Sequence, residues 1–435
     1  MNAEAPARAP GSTPQTASRA LAAWGLGGFV VLGLPDGMWG TAWPAMRHTF
    51  HQPLSSLGLI LLCGMVGNLC TSLSTGFLLR RFGVGRLLVC AALVAAVGAG
   101  VLAVATVWAF VLVAALLIGV AAGLLDTGLN TVVALSGRLR LLNMLHGAYG
   151  VGSALGPLVV TAALLWTSFR PAYVLLIVLE LLLAFGWWRT SSHWIPPTDP
   201  NPDAEENGAV RATDDAAGDS AGDSAGDSAD EGQPRRVRLL VALGVMVFFF
   251  YTGVEVTAGQ WAASFFRGAL GLSAGAAGPA VFVYWGSLTI ARFAIAIPRR
   301  TPNPGTLVRV GCVGSLVASA LIWWAPSTPV VIVAFGLMGA TFAPVFPALV
   351  SLTPIRIGHA RAHHAIGWQI AAANVGAAGL SALVGLILQH VGLTALGPCL
   401  LTISVVMVLC NAALELLSRP TSRIGRYPNS EGDVA

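Results

Sequence analysis

The feature that most constrains this chain is a recurring apolar run of about twenty residues, the length a helix needs to cross the hydrocarbon core of a bilayer. Such runs fall at about 20–43, 55–79, 87–107, 109–135, 143–167 and 172–190. Six more fall at about 239–265, 273–297, 306–325, 328–353, 364–390 and 394–417. Hydrophobic residues make up 55% of the chain and charged residues 10%, against about 25% charged in an ordinary soluble domain. The pattern predicts an all-α membrane protein with twelve transmembrane helices. The first run is too long for the core of a signal peptide, so it reads as a retained helix.

Between the two sets of six runs lies a polar stretch, 191–237, with three consecutive copies of Ala-Gly-Asp-Ser and 11 of the 19 acidic residues. Nothing in it can bury apolar area, so it reads as a disordered acidic cytoplasmic linker. The expected organisation is a disordered cytoplasmic N-terminal tail (1–19), a six-helix bundle (20–190), the linker (191–237), a second six-helix bundle (238–417) and a cytoplasmic C-terminal tail (418–435). With both termini inside, nineteen arginines lie in cytoplasmic segments and only Arg47, Arg170 and Arg267 outside. That bias orients the chain in a plasma (inner) membrane with both termini cytoplasmic. Trp108, Trp166, Trp187, Trp188, Trp323 and Trp324 fall at span ends and read as interfacial anchors.

Composition also excludes whole classes of function. The net charge of +5 comes from arginines in short loops, which is membrane topology and not a nucleic-acid surface. The chain has no lysine, which removes the P-loop lysine of nucleotide hydrolysis and any Schiff-base lysine. The six cysteines all lie in apolar runs without ligand spacing, as small hydrophobes. His48, His51, His359, His363 and His364 lack cysteine or carboxylate partners and read as loop residues, not a metal site. No His-Glu-x-x-His or Gly-x-Ser-Gly element is present, the nearest being Ala134-Leu-Ser-Gly137. No cofactor is implied, and an enzyme is not expected.

The two halves read as a duplication. Asp36 and Glu255 are offset by 255 − 36 = 219, Leu54-Ser55 and Leu272-Ser273 by 272 − 54 = 218. Arg80-Arg81 and Arg299-Arg300 are offset by 299 − 80 = 219, and Arg138 and Arg356 by 356 − 138 = 218. A constant offset across an acid, a helix start and two basic loops points to two parallel six-helix repeats around a midplane site.

Polar groups inside the runs are the functional candidates, because an ionisable residue there costs about 2.5–3.5 kcal/mol on insertion scales. Asp126 and Asn130 lie four residues apart, and Asn143, His146 and Tyr149 three apart, each set on one helical face. The bland reading of Asp126 is a hydrogen bond to Asn130; the functional one is a carboxyl that binds and releases a proton. His146 is equally a proton relay or a satisfied core histidine. Asp36 lies in Gly33-Leu-Pro-Asp-Gly, where proline and glycine are expected to break a helix and line a cavity. Glu255, Gln260 and Trp261 offer a carboxylate, an amide and an aromatic face, suited to a sugar or to a cation. Gln369 and Asn374 point about 140° apart, so one should face the cavity. Arg292 reads as an anchor or gate partner, Glu180 as peripheral, and Glu415 as a surface group. Pro344 and Pro347 should kink their span, and Gly150-x-Gly152-x-x-x-Gly156-Pro157 should pack closely against a neighbour.

Gly76-Phe-Leu-Leu-Arg-Arg-Phe-Gly-Val-Gly-Arg86 resembles the signature loop between the second and third helices of the major facilitator superfamily, with Arg80 in place of the usual aspartate. Within that superfamily the chain is similar to the fucose–galactose–glucose:proton symporters. The resemblance is carried by Gly123-Leu-Leu-Asp126-Thr-Gly-Leu-Asn130, Leu142-Asn143-Met-Leu-His146, Tyr251-Thr-Gly-Val-Glu255 to Trp261, Tyr284-Trp285-Gly286 to Arg292, and Ala371-Ala-Ala-Asn374-Val-Gly376. It implies the major facilitator fold and a gating role for Arg81 and Arg86. It further implies acids in the first and fourth helices, here Asp36 and Asp126, that serve proton coupling and sugar binding. His146 stands where those carriers have glutamine, and Tyr149 where they have asparagine.

The expectation is a monomeric, proton-coupled secondary transporter of a small polar solute, a sugar by resemblance, working by alternating access. Asp36, Asp126 and His146 would couple to protons. Asn130, Asn143, Tyr149, Glu255, Gln260, Trp261, Gln369 and Asn374 would bind the solute. Two alternatives stay open: a proton-driven exporter of amphiphilic drugs or metabolites, and a transporter-like sensor.

Overall fold

The computed structural model describes residues 15–135, 139–191, 194, 232–296, 302–325 and 327–418. Arg138, Arg299, Arg300, most of the acidic stretch with its repeats, and both chain ends lie outside the described residues, as do the side chains of Arg140, Asn143, His359 and His363. The first half is built of α1 (Gln15–Thr49), α2 (Leu57–Phe82), α3 (Val84–Val104), α4 (Trp108–Leu135), α5 (Leu139–Trp166) and α6 (Arg170–Thr190). The second is built of α7 (Gly232–Gly268), α8 (Ala274–Ala296), α9 (Pro304–Trp324), α10 (Thr328–Phe342), α11 (Val345–Ile357), α12 (His359–Val391) and α13 (Leu396–Ser418). Eleven stretches among the described residues are long and apolar enough to cross a membrane. α10 and α11 together make one of them, and α1 supplies the twelfth crossing.

Two proline-bearing segments behave differently. The break expected at Gly33–Gly37 does not occur, and α1 runs unbroken through Pro35 and Pro44. Proline removes one backbone hydrogen bond and crowds the preceding turn. α1 tolerates this because Gly33 and Gly37 bring it into direct backbone contact with α5, which holds it straight. A Cβ on either glycine would lie 2.1 Å from the carbonyl oxygen of Tyr149 or Ser153. At Pro344 the outcome is different, although α9 packs closely here too, Gly311 against Val345 and Gly314 against Thr341. α10 ends at Phe342 and α11 restarts after Pro344, so the kink expected there is a full break. Pro347 then sits in the first turn of α11, where its missing N–H is harmless.

The duplication is visible in the packing. α1 lies on α5 as α7 lies on α12; α2 pairs with α4 as α8 pairs with α10; α3 packs on α6 as α9 packs on α13. Glycines make the first of these contacts in both halves: a Cβ on Gly152 would strike the Val30 carbonyl, and one on Gly376 the Phe249 carbonyl. The turn after α1 carries His51 in the left-handed region, and the turn after α7 carries Gly271 there, an offset of 271 − 51 = 220.

The halves meet along three pairs: α1 with α7, α5 with α8, and α2 with α12. α5 and α8 touch along most of their length, from Thr161 against Gly278, through Gly150 against Thr289, to Gly147 against Phe293. α2 and α12 close at the end where α2 begins: Gln389 accepts hydrogen bonds from the Ser55 amide and hydroxyl, and Gly58 packs on Ala382. Toward their other ends, Gly76 of α2 and Gly367 of α12 face open space.

Candidate functional site

The site lies where α1 crosses α7. Gly40 lets the helices touch, since a Cβ there would lie 2.4 Å from the Gln260 carbonyl oxygen. One turn away, the Gln260 amide donates to the main-chain carbonyl of Asp36 at 2.8 Å, a bond between the two halves. The Asp36 carboxylate accepts a hydrogen bond from the Tyr149 hydroxyl of α5. Asp36, Tyr149 and Gln260, predicted from scattered sequence positions, are therefore one cluster.

Two further polar groups lie on α4 and between α7 and α8. On α4, Asn130 donates to Asp126 at 2.9 Å, the i, i+4 pair read from the spacing. On α7, Glu255 faces Arg292 of α8, Nη2 to Oε1 3.7 Å, while the Tyr284 hydroxyl donates to the Glu255 carbonyl at 2.7 Å. The Arg292 guanidinium is within electrostatic reach of His146 on α5, whose ring meets Phe29 edge-on at 5.8 Å between centroids. Arg292 is thus an ion-pair partner inside the second bundle.

Three acceptor oxygens at these groups are buried without a hydrogen-bond donor: Asn130 Oδ1, Glu255 Oε2 and Gln260 Oε1. Buried polar atoms are nearly always satisfied, so these acceptors are exceptions, as is the unpartnered indole N–H of Trp285, whose ring packs on Gly259 beside Gln260.

Other predicted residues fall elsewhere. Trp261 does not reach the site: it is 0% exposed, its indole N–H donates to Ser381, and its ring fills the space over Gly385. Adjacent positions on a helix point about 100° apart, so Gln260 faces the other half while Trp261 faces α12. Gln369 is buried and accepts from Thr353 at 3.0 Å, between α11 and α12. Half-buried Asn374 donates to its own helix at Ile370. Arg81 and Arg86 are exposed, and no ion pair ties either to an acid among the described residues. Glu180 is not peripheral: it is 4% exposed, with Oε2 unpartnered, on the α6 face that packs on α1 and α3. Glu415 is not a free surface group, because Arg309 of α9 pairs with it at 2.9 Å. Sequence reading missed Arg309, although a lone arginine within an apolar run already calls for an acidic partner.

Two six-helix bundles that meet over a polar cluster define a membrane transporter and not an enzyme. The family model of the Major Facilitator Superfamily matches residues 25–381, and the chain belongs to that superfamily. It is 30% identical over 113 residues to the human Sodium-dependent glucose transporter 1, a match covering 26% of this chain and 22% of that protein. It is 29% identical over 165 residues to an uncharacterized MFS-type transporter of Yersinia pestis, covering 36% of this chain and 42% of the other. The chain thus matches less than half the length of these curated relatives. Among solved structures, the nucleoside transporter NupG superposes with a TM-score of 0.69 at 13% identity, over 92% of this chain and all of that one. A D-xylose-proton symporter superposes with a TM-score of 0.67 at 15% identity, over 90% and 97%. At these identities the structural likeness speaks for the fold alone.

Proposed function

We propose that this transporter carries a small polyhydroxylated solute, a sugar, together with a proton, and binds it between the halves at the Asp36–Gln260 crossing. The observation that carries this reading is the cluster at the crossing of the two halves, where the Asp36 carboxylate holds Tyr149, Gln260 bonds the Asp36 carbonyl, and Gln260 Oε1 is left without a donor. A sugar brings several hydroxyl donors and acceptors on one rigid ring and could satisfy such a mixed set of groups. The glucose-transporter name of the human relative and the xylose symporter among the structural neighbours fit this class.

In this mechanism Asp36 is the coupling acid. As a carboxylate it holds Tyr149 by a charge-assisted bond; once protonated it gains a donor O–H and accepts more weakly, and the Tyr149 hydroxyl is released toward the solute. Gln260 ties the same turn of α1 to the opposite half, so a change at Asp36 is felt at the crossing about which the halves rock. Asp126, with its partner Asn130, is the second proton-binding group. The arginine bias puts the chain ends in the cytoplasm, and α2 and α12 then close the outer end.

Proteoliposomes test it directly. Addition of hexoses, deoxyhexoses or pentoses should drive proton entry, and Asp36→Asn should abolish that current while sugar counterflow persists. Currents evoked by lipophilic cations and by no sugar would sink the reading.

A further inference from the structure

We propose that a groove between α7 and α12, at the end of the second half where α7 begins, binds the headgroup of an anionic phospholipid. The groove encloses about 430 Å³ and is lined by Val237, Arg238, Val241, Arg361, His364 and Trp368. Its guanidiniums come from the first two turns of α7 and the first turn of α12, so they converge at one end of the bundle. Both are exposed, and neither has an acidic partner among the described residues, where the acids in ion pairs are Glu255 and Glu415, held by other arginines.

Position separates this groove from the solute site. Arg238 precedes Gln260 on α7 by 22 residues, roughly 33 Å at 1.5 Å per residue. It lies near the first end of the apolar span Arg235–Gly268. The chemistry there is amphipathic. Two planar guanidiniums match a phosphodiester in bidentate fashion, while Val237, Val241 and the Trp368 ring, 68% exposed, offer apolar wall to an acyl chain. A free phosphate has no use for those walls, and a zwitterionic lipid would bring its own cation against the arginines. Basic pockets between helix ends of this kind suit anionic headgroups, each arginine contributing about fivefold in affinity.

The test uses the full-length protein in nanodiscs of phosphatidylcholine with and without phosphatidylglycerol. Native mass spectrometry should retain a phosphatidylglycerol adduct, and its presence should raise the unfolding temperature. R238Q/R361Q should weaken retention about thirtyfold and remove the thermal shift, while unfolding like the native chain in pure phosphatidylcholine. Should the double variant fail to fold, Arg238→Gln and Arg361→Gln singly must each lower retention. Undiminished retention in the variants would overturn the proposal. Displacement of the adduct by millimolar inorganic phosphate would also overturn it, marking a site for a free anion.

Discussion

At the scale of single residues, what matters is which groups in the spans are satisfied and which are not. Asp36 has Tyr149 as donor, and Asp126 has Asn130, yet the partner amides and Glu255 keep orphan acceptors. If the released Tyr149 hydroxyl bonds the solute, Tyr149→Phe should raise the KM for sugar by up to about tenfold, the upper range for the loss of one hydrogen bond between neutral groups. Transport assays with matched protein levels would show it, and an unchanged KM would remove Tyr149 from the mechanism. Glu180 supplies the contrast. It is buried with Oε2 unpartnered on α6, away from the crossing, so Glu180→Gln should leave proton-coupled uptake intact. A loss of coupling there would mean that the proton route runs through the α1–α6 seam. The Glu255–Arg292 pair predicts non-additivity: each single neutral variant strands a charge, so the double variant should unfold later than either single. Heating the four proteins side by side in one detergent measures that coupling.

At the scale of elements, glycine decides which helices can touch. Gly152 brings α5 onto the Val30 carbonyl at a distance where no Cβ fits. Gly152→Leu should therefore destabilise the first half by about 1–3 kcal/mol of overpacking, read as a lower melting temperature. Gly40 differs because it lies between halves and not within one. Gly40→Val should leave the fold standing but hinder the crossing, lowering turnover more than solute affinity. The close glycine packing of α5 was legible from Gly150-x-Gly152-x-x-x-Gly156. The continuity of α1 through Pro35 was not, since local propensity forbids what the α5 contact restores. The break at Pro344 was half legible: two prolines signal a bend, and the full stop shows only in the structure.

At the scale of the whole molecule, the asymmetry between the two inter-half seams is the main observation. α5 and α8 stay in contact along most of their length, whereas the contacts of α2 with α12 lie near Ser55, Gly58, Ala382 and Gln389. Joining S55C to Q389C with a short bifunctional reagent should arrest transport, and a cleavable reagent should restore it on reduction. Uninterrupted transport in the linked protein would mean that this end never opens. Run length, arginine distribution and the 218–219 offset were enough to derive twelve crossings and two repeats, and the Gly76–Arg86 loop carried the resemblance to the superfamily, because each can be read along the chain without knowing how the helices pack. Helical spacing likewise paired Asp126 with Asn130. The union of Asp36, Tyr149 and Gln260, the withdrawal of Trp261 into packing against α12, and the capture of Glu415 by Arg309 were decided by tertiary structure alone. Each depends on how far a helix is rotated and which neighbour it meets, and in an apolar solvent that rotation is set by close packing between helices, which sequence spacing leaves free.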